Sequence, residues 1–240
     1  MNYKLEAIGF TIDNCIHAQD AGAHRIELCD SPADGGTTPS YGFIKLARKN
    51  LQVDLYPIIR PRGGDFLYSA LEFEIMKHDI LNCKQLGCDG IVTGVLNPDG
   101  SIDIERNIQL TQLAYPMGAT FHRAFDRVND AGKALEDVIA CGFERILTSG
   151  LAPTAEAGVA TIAALVEQAD DRISIMPGSG VRVSNLELLM ATGATEFHTS
   201  ARQFVASEMQ YRNLAMDEVS EYVGLDVESI KQMVQILKKY

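Results

Sequence analysis

Two histidines, two glutamates and a run of arginines are the residues of this chain whose types and spacing could do chemistry. His122-Arg-Ala-Phe-Asp126 sets an imidazole four residues before a carboxylate, and a carboxylate can fix which ring nitrogen carries the proton, so His122 reads as a proton-transfer group with Arg123 and Asp126 beside it. His198 is the second such candidate and Glu27 the third. Arg60-Pro-Arg-Gly-Gly-Asp65 is the most informative stretch. Proline stiffens the backbone between Arg60 and Arg62, two glycines allow a ligand to approach closely, and Asp65 can orient one guanidinium. Two arginines together suit a carboxylate or phosphate; each could equally serve an internal salt bridge to Glu6, Glu27 or Asp65. Gly178-Ser-Gly180 with Ser200 is a second anion candidate, through backbone N–H groups, or else a plain turn. Thr93 and Ser149 complete the polar set.

Stepping outward, short apolar or β-branched runs alternate with amphipathic stretches. Strands are expected over 3–9, 25–29, 53–60, 90–95, 119–122, 145–148, 173–177 and 196–200. Helices are expected over 13–21, 41–48, 69–86, 104–114, 131–140, 154–168 and 183–191. That alternation predicts an α/β fold, a single eight-stranded parallel (β/α)8 TIM barrel over residues 1–202. Gly22, Gly87, Gly142 and Gly193 each precede an even-numbered strand, as left-handed helix ends would. Residues 203–240 form an extension, in which Asp226 can cap a helix with Ile230, Met233, Val234 and Leu237 on one face, packing on the barrel or on a partner subunit. An open doubly wound sheet would want a glycine-rich loop after the first strand, and Gly9-Phe-Thr-Ile-Asp13 is not one.

In such a barrel the loops after the strands carry the site, and nearly every strand end is polar or glycine, with Glu6 and Glu27 slightly deeper. Residues two apart in a strand share a face. Ile26 and Leu28 should therefore meet the helices while Arg25, Glu27 and Cys29 face the lumen; in the last strand Glu196, His198 and Ser200 should do the same. Buried carboxylates need cations, and Arg60 is the expected counterion of Glu27 and Glu196.

With 21 Lys and Arg against 32 Asp and Glu, the formal net charge is -11, which disfavours nucleic acid and anionic membrane surfaces as partners. The first six residues lack the pattern of a secretory signal, no apolar run approaches the ~20 residues of a membrane span, and the five cysteines include no Cys-x-x-Cys pair. A cytoplasmic protein with free thiols is expected. Cys29, with Met176 and the histidines, could in principle surround a cuprous ion, since thiol, thioether and imidazole are the soft donors such an ion prefers.

Several blocks, in order, resemble the CutC family: His24-Arg-Ile-Glu-Leu-Cys29, Gly35-Gly-Thr-Thr-Pro-Ser40, Ile59-Arg-Pro-Arg-Gly-Gly-Asp-Phe66, Thr120-Phe-His-Arg-Ala-Phe-Asp126, Leu147-Thr-Ser-Gly150 and Phe197-His-Thr-Ser-Ala-Arg202. The resemblance implies a cytoplasmic (β/α)8 barrel, a homo-oligomer (dimer or tetramer), and a role in copper homeostasis with Cys29 matching a strand-two cysteine proposed to bind copper(I). Ile8 stands where many members carry another cysteine, which removes one thiol. Three functions compete: an enzyme acting on a small anionic metabolite, with Arg60 and Arg62 holding the anion and His122, Glu27 or His198 moving protons; a copper(I) protein; and a scaffold.

Overall fold

The computed structural model describes residues 3–213, 215–216 and 220–240, so Met1 and Asn2 of the N-terminal stretch lie outside the described residues. Eight parallel strands alternate with helices: β1 Lys4–Gly9, α1 Ile12–Asp20, β2 Arg25–Leu28, α2 Tyr41–Asn50, β3 Asp54–Pro57, α3 Ala70–Leu86, β4 Gly90–Thr93, α4 Ile104–Ala114, β5 Gly118–Phe121, α5 Ala131–Ala140, β6 Arg145–Thr148, α6 Val159–Ala169, β7 Ser174–Pro177, α7 Leu186–Met190 and β8 Glu196–Thr199. β8, β1, β2 and β3 pair in that order, as do β4 to β7. A bridge between Ile58 and Val92 joins β3 to β4, and β7 packs beside β8. The fold is a (β/α)8 TIM barrel.

Local chemistry explains the punctuation. Thr11, Ser40, Ser69, Asp103 and Asp130 accept a backbone N–H at the starts of α1 to α5, supplying the oxygen that the first turn of a helix lacks. Gly22, Gly87, Gly142 and Gly193 all have positive φ, the left-handed conformation expected before the even strands.

Two further strands, β9 Arg202–Val205 and β10 Tyr222–Leu225, form an antiparallel hairpin, and α8 follows over Val227–Lys239. Asp226 caps α8, and Ile230, Met233, Val234 and Leu237 are buried. They pack on the barrel itself, against β1 and α1, while Tyr240 donates to Glu187 of α7 at 3.0 Å. The tail is therefore the missing eighth helix, lying between α7 and α1; the hairpin is an insertion ahead of it.

The main apolar core lies between strands and helices. A smaller cluster of Ile8, Cys29, Tyr56, Ile58 and Val92 fills the lumen. Tyr56 is its plug: a Cβ on Gly90 would sit 2.1 Å from its ring, and one on Gly118 2.4 Å from its hydroxyl, so two neighbouring strands must begin with glycine.

Candidate functional site

The charged groups of the lumen are stacked in layers. At the bottom, Arg25 and Arg145 flank Tyr56, with guanidinium carbons 5.0 and 5.6 Å from its ring centre, and both donate to Glu196, at 2.7 Å from Arg25 Nη1 and 2.7 Å from Arg145 Nε. Arg145 also reaches Glu144 at 2.9 Å, and the Tyr56 hydroxyl donates to the same carboxylate at 2.8 Å. These two arginines, and not Arg60, are the counterions of the lumen. Parity predicted the face of Arg25 and Glu196 correctly, but it does not report height, and Arg60 stands well above them.

One layer up, β1, β2 and β8 bring together Glu6, Glu27 and His198, all buried. His198 Nδ1 bonds Glu6 Oε1 at 2.7 Å and lies 3.7 Å from Glu27 Oε2. Arg25 Nε approaches the other Glu6 oxygen at 3.3 Å. Burial alone would push Glu6 up, but Arg25 and His198 outweigh it and hold the carboxyl at about 2. Glu27 lacks a close guanidinium, so burial wins and its pKa rises to about 7. His198 is raised despite burial, by the hydrogen bond to Glu6 and the charge of Glu27. At neutral pH the trio comprises an ionised Glu6, a His198 whose affinity for its second proton is raised, and a Glu27 able both to release and to accept a proton.

Above them opens a cavity of about 350 Å³ whose lining includes Glu27, His198, His122, Arg60, Arg123 and Arg202. Ser179, Gly180 and Ser200 lie along one side; Ile8, Ile58, Phe66 and Leu147 supply apolar wall. Arg60 is buried, and its partners are the backbone carbonyls of Asp34 (2.7 Å), Gly36 (2.8 Å) and Gly64 (2.9 Å). A cation answered by carbonyls rather than a carboxylate holds two loops together and keeps its charge for the cavity. Arg123 is bound to Asp126 at 2.7 Å and to Ser149 at 3.0 Å. Arg202 lies over the ring of Phe10 and donates to Pro32.

Other expected site residues are committed elsewhere. Arg62 does not line the cavity: it pairs with Glu72 at 2.6 Å and with Asp65 at 2.9 Å on the outer side of the loop, so the anion site expected between Arg60, Arg62 and the 178–180 loop is not formed as such. Asp126 does not orient His122; its oxygens accept from Thr148 (2.6 Å) and from the amides of Ser149 and Leu151. Thr93 donates to Ile59 O, and Ser149 to Ala152 O. The N–H of Gly178 goes to Thr148 O, and a Cβ there would meet Leu147 at 2.4 Å, so Ser179 and Gly180 face the cavity instead. Glu6 holds His198 rather than a ligand.

Cys29 does not fit a cuprous ion. Its thiol is enclosed in the apolar lumen cluster, and burial with the nearby carboxylates pushes its pKa well above the usual thiol value, opposite to what a metal thiolate needs. Among the described residues, the group whose ligating atoms lie within 4.8 Å of one another is Glu6, Glu27 and His198, a hard set without sulfur. Sequence reasoning missed Arg202, Phe66 and Tyr56; only Arg202, two residues past Ser200, carried a signal, since alternation keeps it on the mouth side.

The pattern of the CutC family matches residues 3–203. The chain belongs to the CutC family. A CutC family protein of Chromobacterium violaceum is 54% identical over 213 residues, covering 88% of this chain and 86% of the relative. The human copper homeostasis protein cutC homolog is 46% identical, over 88% of this chain and 78% of its own. A crystal structure of CutC from Streptococcus agalactiae superposes with a TM-score of 0.78 at 37% identity, covering 82% of this chain and 97% of that one. An aldolase at 15% identity and a TM-score of 0.64 shares the barrel, which speaks to fold alone. Every residue of the trio and of the cavity lies inside the matched span.

Proposed function

We propose that this CutC family protein is an enzyme acting on a small anionic metabolite, bearing phosphate or carboxylate, at the C-terminal mouth of the barrel. Arg123 and Arg202 attract the anion, Ser179, Gly180 and Ser200 offer it hydrogen bonds, and Glu27 moves a proton. The observation that carries this reading is the Glu6–His198–Glu27 chain on the floor of a cavity rimmed by arginines: a carboxyl poised near neutrality beside a histidine is an arrangement suited to general acid–base chemistry. A second reading, copper handling through Cys29, is favoured by the name of the human relative, while the donor set speaks against it. Stoichiometric cuprous ion lost on Cys29→Ser and retained in Cys83→Ser would revive it. The five unpaired cysteines, and the lack among the described residues of any helix long and apolar enough to cross a membrane, support a cytoplasmic location. Exposed Phe204, Met209 and Tyr211 support a homo-oligomer.

The test uses inorganic phosphate. Its binding should raise the melting temperature, and at a hundred times the dissociation constant the added stability is about 2.7 kcal/mol. Arg202→Ala should abolish that gain and Arg62→Ala should keep it. Calorimetry near pH 7 in two buffers should show proton uptake on binding, absent in Glu27→Gln, because an anion above Glu27 raises its pKa further. No stabilisation of the wild type, or equal stabilisation of the Arg202→Ala variant, rules the anion site out.

A further inference from the structure

His122 is not bonded as a proton shuttle would be. It follows β5 directly, and its Nδ1 accepts the backbone N–H of Ala124 at 3.3 Å. A ring nitrogen that accepts carries no proton, so in the neutral imidazole the hydrogen sits on Nε2. That Nε2 is buried and has no partner, although the ring lines the cavity. The ring is clamped: Phe66 lies 4.7 Å away, Phe121 meets it edge-on at 6.0 Å, and a Cβ at Gly94 would press on Nδ1 at 2.9 Å. The aromatic wall and the adjacent Arg60 charge both oppose protonation and depress the pKa to about 3, so the ring stays uncharged at any ordinary pH. A buried donor without an acceptor is costly unless something fills it.

The nature of that acceptor follows from its surroundings. A permanent anion is met by arginines, which the rim already provides. A fixed, uncharged donor in an apolar wall suits an oxygen that is neutral in the ground state and becomes negative during reaction, because it favours the charged state without binding the ground state too tightly. Across the lumen, three strands away, stands Glu27 with a pKa near neutrality. We infer that His122 donates from Nε2 to a substrate carbonyl oxygen, and that the reaction at this mouth is removal by Glu27 of a proton from the carbon beside that carbonyl. This deepens the proposed enzymatic reading and rests on it. The C–H electron pair becomes the new carbon–carbon π bond, the carbonyl π pair moves onto oxygen to give an enolate held by His122 and Arg60, and Glu27 carries the proton until it returns it to carbon. The substrate class is thus a small aldehyde or ketone with a phosphate or carboxylate group. His122, expected from sequence to move the proton, becomes the electrophile; Glu27 is the base.

Imidazole ¹⁵N NMR and a pair of probes test this. The His122 resonances should show an Nε2–H tautomer that does not titrate between pH 5 and 8. 2-Phosphoglycolate, whose planar carboxylate beside a phosphate mimics the enolate, should move the Nε2–H signal downfield; inorganic phosphate should not. His122→Phe keeps the ring packing without the donor and should weaken 2-phosphoglycolate about tenfold or more while leaving phosphate within about twofold. His122→Gln, which restores a donor, should recover part of that loss. If neither probe binds, the anion site fails and this inference with it. If phosphate binds as expected but the imidazole titrates in that range, carries its proton on Nδ1, or is unmoved by 2-phosphoglycolate, only the role of His122 is overturned.

Discussion

Glu27 on the floor of the cavity and Glu6 just beneath it are driven in opposite directions. A carboxyl held at about 7 against an ordinary value of 4.5 binds its proton more tightly when folded. The stability it contributes is complete below about pH 4.5 and is lost as pH climbs through about 7. Glu6, held at about 2, behaves in reverse: its contribution is present above pH 4.5 and disappears only as acid approaches pH 2. Between pH 5 and 8 Glu27 therefore sets the slope. The wild type should lose on the order of 3 kcal/mol across that range relative to Glu27→Gln. His198, also raised, falls in the same direction, so the variant keeps a slope of the same sign. Parallel melting curves for the two proteins would show that Glu27 is not buried as an acid.

At the scale of elements, the eighth helix is the part whose role the sequence left open. Its face of Ile230, Met233, Val234 and Leu237 seals the seam between β1 and α1, with Val234 against Gly22. Met233→Ala should cost roughly 2–5 kcal/mol, read as a lower urea midpoint with unchanged oligomer mass; a shift in mass without loss of midpoint would mean the helix belongs to a partner. Strands, the Asp226 cap and the glycine turns were legible because their signals are local. So was the inward direction of Arg25, Glu27, Glu196 and His198, which follows from a period of two. What alternation cannot report is the layer a side chain occupies or its partner across the lumen. Arg25 meets Glu196 across 171 residues and Arg145 meets it across 51; nothing near either arginine announces the pairing. Asp126 illustrates the reverse failure. Four residues from His122, it is spent on the loop after β6, because amides there offered it closer partners.

For the molecule as a whole, a net charge of -11 surrounds the arginine-rimmed mouth at which we propose that an anion binds. The long-range field opposes the ligand, while the arginines act within a few ångströms of it. Salt screens charges separated by more than ~10 Å at 0.1 M and contacts inside a cavity far less. The association rate of phosphate-bearing ligands should accordingly rise between 10 and 150 mM sodium chloride, with the dissociation rate little changed. A stopped-flow rate that falls with added salt would mean the mouth carries a positive field extending beyond its rim.

The placement of α8 also bears on how the chain could be re-cut. The charges of Lys4 and Lys238 both act on His24, so the start of β1 and the end of α8 lie near one another. Among the described residues, the segment between the hairpin strands β9 and β10, by contrast, contributes none to the lining of the cavity. The native order of the elements is then only one of the orders this architecture tolerates. A circular permutant with joined termini and a new opening at residues 206–210 would begin with β10 and the seam-sealing helix and end with β9, and would keep the trio, the arginines and His122 on one uninterrupted run.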